Sequence, residues 1–106
     1  MPRVVIVLST WPADRDADEV ARALVDERLA ACVSVSAEMT SIYRWEGRVD
    51  EATERQLVIK TVEDRLPALE ARLKGLHPYE VPEFVVLAVA AGSEAYLRWL
   101  TESVRE

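Results

Sequence analysis

Residues 32–61 read CVSVSAEMTSIYRWEGRVDEATERQLVIKT, and this stretch decides the fold. Two long arms, Cys32 to Trp45 and Arg48 to Thr61, flank the dipeptide Glu46-Gly47. Because glycine adopts positive φ without steric cost, Gly47 predicts a tight hairpin turn between antiparallel strands. Each arm would be ~45 Å long at ~3.3 Å per residue, whereas a compact domain of this length is only ~35 Å across. We therefore expect the hairpin tip to protrude from the rest of the chain.

The protruding tip would expose large apolar side chains on a two-stranded ribbon. Such an exposed ribbon invites association with another sheet or apolar surface. We expect a second copy of the chain to cover it, with Trp45 as the main anchor. The residues predicted at this interface are Ile42, Tyr43, Trp45 and, on the last helix, Trp99.

The segments on either side of the hairpin complete a β-α-β-β-α-β order followed by a helix. This order is the split βαβ arrangement, so the predicted fold is α+β, a ferredoxin-like sandwich with an extra C-terminal helix. Its length predicts one domain over residues 1–106. The expected elements are a strand at 3–9, a loop at 10–12, a helix capped by Asp16 and ending near Leu29, a helix capped by Asp64, a strand from Phe84 to Ala90 that is buried on both faces, and a helix from Gly92-Ser93.

Composition excludes several classes of function. The formal net charge is −6 and there is no run of basic residues, which argues against nucleic-acid binding. No stretch approaches the ~18 apolar residues of a membrane span, and the apolar run near the N-terminus is too short for a signal peptide, so a cytoplasmic protein is expected. The chain has three glycines, no phosphate-binding loop and no nucleophile elbow, and we expect no enzyme.

Cys32 and His77 are the candidate metal ligands, since thiolate suits Cu(I) and imidazole suits Cu(II) or Zn²⁺. One chain cannot supply a closed Cys/His zinc site, which needs four ligands, but several copies could share one with help from the carboxylates of Glu80 and Glu83. The alternatives are a buried, inert Cys32 and a His77 placed at a helix end by the helix dipole.

A second group of side chains suggests a cleft for a small ligand. Lys60 lies within an apolar strand and could meet an anion as a point charge, beside Tyr43, Trp45, Glu54 and Tyr79. The alternative for Lys60 is an ion pair with a glutamate of the same or a neighbouring subunit, because a buried charge needs a partner.

Four segments carry a resemblance to a known family. They are 31–33 (ACV), 41–47 (SIYRWEG) running on to Glu54 and 59–61 (IKT), 77–83 (HPYEVPE), and Gly92 with 96–99 (YLRW). In this order they resemble the CutA divalent-cation tolerance family over nearly the whole chain. The resemblance implies a PII-like homotrimer clasped by its hairpins, with an association with copper and other divalent cations.

Two functions follow as hypotheses. The first is a metal tolerance protein that binds Cu²⁺ or Zn²⁺, neither of them obligatory. The second is a PII-like trimeric sensor or scaffold that binds a small ligand in clefts between subunits. One position departs from the family pattern: Ser34 stands where Asn is usual, and a hydroxyl offers fewer hydrogen bonds than an amide.

Overall fold

The computed structural model describes residues 2–105 as an antiparallel sheet with three α-helices. The strands are β1 (Val4–Pro12), β2 (Cys32–Val35), β3 (Met39–Trp45), β4 (Arg48–Val62) and β5 (Val85–Ala88), and the helices are α1 (Ala17–Asp26), α2 (Leu66–Leu76) and α3 (Glu94–Ser103). A short 3₁₀ turn, Glu63–Arg65, precedes α2. No helix in this part of the chain is long and apolar enough to cross a bilayer.

The sheet has the strand order β2-β4-β1-β5, and β3 pairs with the other end of β4. All of these pairings are antiparallel. Within β4, Glu54 pairs with Pro12 of β1 and also with Met39 of β3, so it marks the junction between the central sheet and the hairpin.

The hairpin of β3 and β4 extends to a turn at Glu46 and Gly47, as the sequence predicts. Both turn residues have positive φ, 51° and 78°, as a type I′ turn requires. The longest dimension of the molecule is 44 Å, and near the tip Ile42 is 72% and Val49 68% exposed. The expected single first arm is wrong, however, because residues 36–38 break it into β2 and β3.

One face of the sheet is covered by α1 and α2. Leucines from both helices, Leu24, Leu69 and Leu73, pack with Leu57 and Ile59 of β4 in one fully buried cluster. The third helix contacts the other face at the end of the sheet, where Leu100 and Val104 pack on Val4 and Val62. Val4 and Val62 have even numbers, whereas the strand residues beneath α1 and α2, Leu57 and Ile59, have odd numbers. Successive side chains of a strand point to opposite faces, so α3 lies on the face opposite α1 and α2.

Several predicted boundaries are wrong for identifiable reasons. Thr10 to Pro12 are strand rather than loop, because they pair with residues 54–56 of β4. Asp16 caps α1 by accepting the Glu19 N–H, but the helix ends at Asp26 rather than near Leu29. Asp64 does not cap α2, because it lies inside the 3₁₀ turn and its carboxylate faces Arg105 at 3.4 Å.

The last strand is shorter than predicted and is exposed in the single chain. β5 covers Val85–Ala88, and all four residues are exposed. The buried environment that its apolar sequence predicts is therefore not supplied by the other described residues, 2–84 and 89–105. The C-terminal helix begins as expected, with the Ser93 hydroxyl accepting the Tyr96 N–H at 3.3 Å.

Candidate functional site

The connection after α2 is held against the end of β1 by His77. The imidazole Nδ1 accepts the Tyr79 N–H at 3.0 Å, so Nε2 carries the proton and donates it to the Thr10 carbonyl at 2.7 Å. The ring also packs edge-on against Trp11, with centroids 4.5 Å apart, and lies 4.8 Å from the Tyr79 ring. Two hydrogen bonds and two aromatic contacts thus determine the path of the segment that follows.

Burial keeps this histidine neutral. Desolvation lowers the pKa of His77, and it outweighs the opposing effects of the Thr10 carbonyl and the nearby Glu54 charge. Because both ring nitrogens are already engaged, the imidazole has no free lone pair for a metal ion or for a proton in transfer. A metal could bind Nδ1 only if the Tyr79 N–H were displaced.

Glu54 is a buried carboxylate, only 6% exposed. Its Oε2 accepts the Tyr79 hydroxyl at 2.8 Å and the Thr10 hydroxyl at 3.2 Å. Burial, followed by this hydrogen bond, raises the pKa of Tyr79 well above its usual value, so the phenol remains a donor. The same tyrosine is therefore positioned by His77 through its backbone and by Glu54 through its hydroxyl.

Thr10, Glu54 and Tyr79 line a groove of about 770 Å³ between the hairpin and the connection that follows His77. The side of the groove formed by the connection is tied to the sheet, because Ser9 Oγ donates to the Glu83 carbonyl at 2.7 Å. Gln56 Nε2 donates to the Ser9 carbonyl at 2.6 Å and reaches Glu83 Oε2 at 3.3 Å. We call this feature the Glu54 groove; its lining residues are Thr10, Met39, Ser41, Ile42, Tyr43, Trp45, Glu54, Gln56 and 78–83.

The structure brings together most of the predicted cleft residues and separates one. Tyr43, Trp45, Glu54 and Tyr79 all line the Glu54 groove, together with Glu80 and Glu83. Lys60 does not. It lies six residues along β4 from Glu54, which is ~20 Å in a strand.

Lys60 has a separate environment at the other end of β4. Its Nζ hydrogen-bonds to the Tyr96 hydroxyl at 3.2 Å and lies 5.4 Å from the centre of that ring. The hydrogen bond to Tyr96 raises the pKa of Lys60. The ring of Trp99 packs against that of Tyr96, with the two centroids 5.4 Å apart. The predicted ion pair of Lys60 with a glutamate is not formed among residues 2–105.

The predicted metal ligands are not assembled within one chain. Cys32 pairs with Lys60 of β4. His77 hydrogen-bonds to Thr10, which pairs with Gln56 of the same strand. Lys60 and Gln56 are four residues apart on β4, so Cys32 and the Thr10 carbonyl that holds His77 are separated by ~13 Å along the strand. Within the described range, no three His, Cys, Asp or Glu side chains are close enough to hold one metal ion.

Sequence reasoning missed Ser9, Thr10 and Gln56 as parts of the site. The sequence predicts a loop at Thr10, whereas the structure continues β1 to Pro12 through its pairing with β4. Residues 4–8 are apolar on both faces and Ser9 is polar, so the sequence offers no alternation that would extend the strand.

The fold and the groove define a class of small α+β proteins, in which two helices cover one face of an antiparallel sheet, a third helix packs at the end of the other face, and a long hairpin protrudes. A family model described as "CutA1 divalent ion tolerance protein" matches residues 5–103. The chain belongs to this family. The expected resemblance is confirmed.

Individual relatives agree with this assignment. The divalent-cation tolerance protein CutA of Thermus thermophilus is 50% identical over 98 residues, which are 92% of this chain and 95% of the relative. Human protein CutA is 44% identical over 92% of this chain, but the match spans only 56% of the human protein. The chain thus corresponds to about half of that relative.

Solved structures of the family have the same fold. The divalent cation tolerance protein from Thermus thermophilus superposes with a TM-score of 0.91 at 49% identity and covers 94% of this chain and 97% of that one. CutA1 from Oryza sativa gives a TM-score of 0.94 at 38% identity, over 99% of this chain and 96% of that one. The chain is a divalent-cation tolerance protein of this family.

Proposed function

We propose that the chain works as a homotrimer in divalent-cation tolerance, and that the assembled trimer binds copper or zinc ions as its cargo. The strand order, with helices on one face, supports a ferredoxin-like subunit with PII-like assembly. Membership of the divalent ion tolerance family supports the role in metal handling. The same membership supports a non-enzymatic role, as does a histidine with both nitrogens engaged.

The observation that carries the trimer is the sheet face opposite α1 and α2. On this face Ile6, Leu8 and Val58 are only half-buried, and Val85 and Leu87 of the edge strand are exposed. Contiguous apolar surface of this kind marks an interaction site in a soluble chain. Since the hairpin residues Ile42, Tyr43 and Trp45 and the helix residue Trp99 are exposed as well, we include them in the proposed interface.

The metal would be bound by the assembly rather than by one chain. The candidate ligands remain Cys32, His77, Glu80 and Glu83. Cys32 has a half-exposed thiol, and both glutamates lie on the connection after α2. His77 would have to give up the hydrogen bond from Tyr79. A free thiol also fits the proposed cytoplasmic location, where cysteines stay reduced.

Sedimentation equilibrium of the metal-free protein tests the assembly. A mass near three times the 11.9 kDa chain is expected without added metal, and a monomer would overturn the proposal. Calorimetric titration of the trimer with Cu²⁺ and Zn²⁺ tests the metal. We expect saturable binding that weakens in Cys32→Ser and in a double variant, Glu80→Gln with Glu83→Gln. Equal binding by wild type and both variants would exclude Cys32, Glu80 and Glu83 as ligands.

The second candidate is a trimeric sensor or scaffold that binds a small ligand. The Glu54 groove favours it, because its volume and mixed apolar and polar lining are those of a small-molecule site. Ligand binding that protects the groove while metal has no effect would support this alternative over the first.

A further inference from the structure

We propose that the Glu54 groove binds a small organic cation, a quaternary ammonium group, with Glu54 as the counter-charge. The inference rests on the second of the proposed functions, a small ligand in the clefts, and names the chemical class of that ligand. The ligand charge is also opposite to the one expected from the sequence, which predicts that Lys60 lies in the cleft and meets an anion.

The charge of the lining is entirely acidic. Among the described residues that line the groove, the charged ones are Glu54, Glu80 and Glu83, and none is Lys, Arg or His. Walls of one charge sign with low-dielectric surroundings attract ions of the opposite sign. An anionic ligand would be repelled from this groove, whereas a cation would be attracted.

The buried carboxylate lacks a cationic partner. Within residues 2–105, no Lys, Arg or His forms a salt bridge with Glu54, although its side chain is almost fully buried. Both of its hydrogen bonds, from Tyr79 and from Thr10, go to Oε2. Oε1 has no hydrogen-bond donor in the described chain and is not sealed off from the groove. Buried charges in proteins are ordinarily paired, so this oxygen is the natural place for a ligand's positive charge.

The other walls suit an organic cation better than a metal ion. Tyr79 lines the groove and donates its hydroxyl to Glu54, whereas Tyr43 and Trp45 line it farther along the hairpin, opposite Asp50 and Arg48. Aromatic faces attract ammonium groups through cation–π interactions, and Tyr79 is the ring beside the charge. A divalent metal would need several carboxylates converging at ~2.3–2.6 Å for Ca²⁺, or an equivalent ligand set. The three glutamates do not converge in this way within the described chain. Apolar lining residues such as Met39, which pairs with Glu54, and Val81 would cover the methylene or methyl groups of the ligand.

The test uses choline and its uncharged isostere 3,3-dimethyl-1-butanol, titrated calorimetrically into the intact protein. We expect choline to bind at least tenfold more tightly than the neutral alcohol. The variant Glu54→Gln should reduce choline affinity at least tenfold and leave that of the alcohol unchanged. Glutamine keeps an oxygen that can accept from Tyr79 and Thr10, so the variant preserves the local hydrogen bonds. Glu63→Gln is the matched control, since Glu63 is exposed at the far end of β4, and it should change choline affinity less than twofold.

Each outcome decides the inference. Equal binding of choline and the alcohol would overturn it, and this comparison stands even if Glu54→Gln fails to fold. Absence of choline binding to the intact protein would also overturn it. This outcome includes the case in which a cationic side chain of a neighbouring subunit already fills the groove. Sedimentation under the same conditions separates this inference from the trimer: a monomer that binds choline would refute only the trimer, and a trimer that does not bind choline would refute only the inference.

Discussion

Removing the hydroxyl of Tyr79 should destabilise the protein by about 2 kcal/mol. In Tyr79→Phe, Glu54 Oε2 loses a donor at 2.8 Å and keeps only Thr10 at 3.2 Å. A hydrogen bond to a charged group contributes ~1.5–3 kcal/mol. Because Tyr79 is half-buried and water can partly replace its hydroxyl, the lower half of that range applies.

A double-mutant cycle isolates this interaction. In a Glu54→Gln background the acceptor is neutral, and Tyr79→Phe should then cost only ~0.5–1.5 kcal/mol. The expected coupling between the two residues is therefore about 1 kcal/mol. Urea unfolding of the four proteins, at one fixed protein concentration because assembly contributes to apparent stability, measures it. Equal costs of Tyr79→Phe in both backgrounds would refute the reasoning.

Three further predictions concern other parts of the chain. The pKa of His77 is lowered in the folded state relative to ~6.5 when unfolded. Stability should therefore fall as the pH drops below ~6.5, until the folded-state pKa is passed. His77→Gln should weaken this dependence in urea unfolding between pH 7.5 and 5, and parallel profiles would contradict it. Gly47→Ala should cost ~1–2 kcal/mol from its φ of 78° alone, because a Cβ there meets no atom within 4 Å; an unchanged midpoint would argue against the turn geometry. Leu57→Ala, in the core, should lower the free energy of unfolding by ~2–5 kcal/mol. Val25→Ala, on the exposed side of α1, should change it by no more than ~0.5 kcal/mol. Thermal unfolding measures both variants, and similar losses of stability would count against the assigned core.

Local patterns predicted the elements well because their causes are local. The positive φ of Gly47, the cap at Asp16 and the cap at Ser93 each depend on a few neighbouring residues. Asp64 failed as a cap because a 3₁₀ turn intervenes before α2. The turn residues of such a segment offer no clear sequence signal that distinguishes it from the first turn of a helix.

The site was only partly predictable because it depends on register between distant strands. Thr10 and Glu54 are 44 residues apart and meet only because β1 pairs with β4 as it does. Lys60 is predicted in the same cleft as Glu54, yet six residues of one extended strand separate the two by ~20 Å, a distance that the predicted arm from Arg48 to Thr61 already implies. Which residues of distant strands meet, such as Thr10 and Glu54, requires the full strand pairing.

The position of Glu54 at the junction of the central sheet and the hairpin has a mechanical consequence. From this residue β4 continues without interruption to the turn at Glu46 and Gly47, a reach of ~26 Å at ~3.3 Å per residue. A rotation of roughly 5° about the junction would move the tip by roughly 2 Å over that reach. The hairpin therefore amplifies at its tip any angular change at the junction, in proportion to its length.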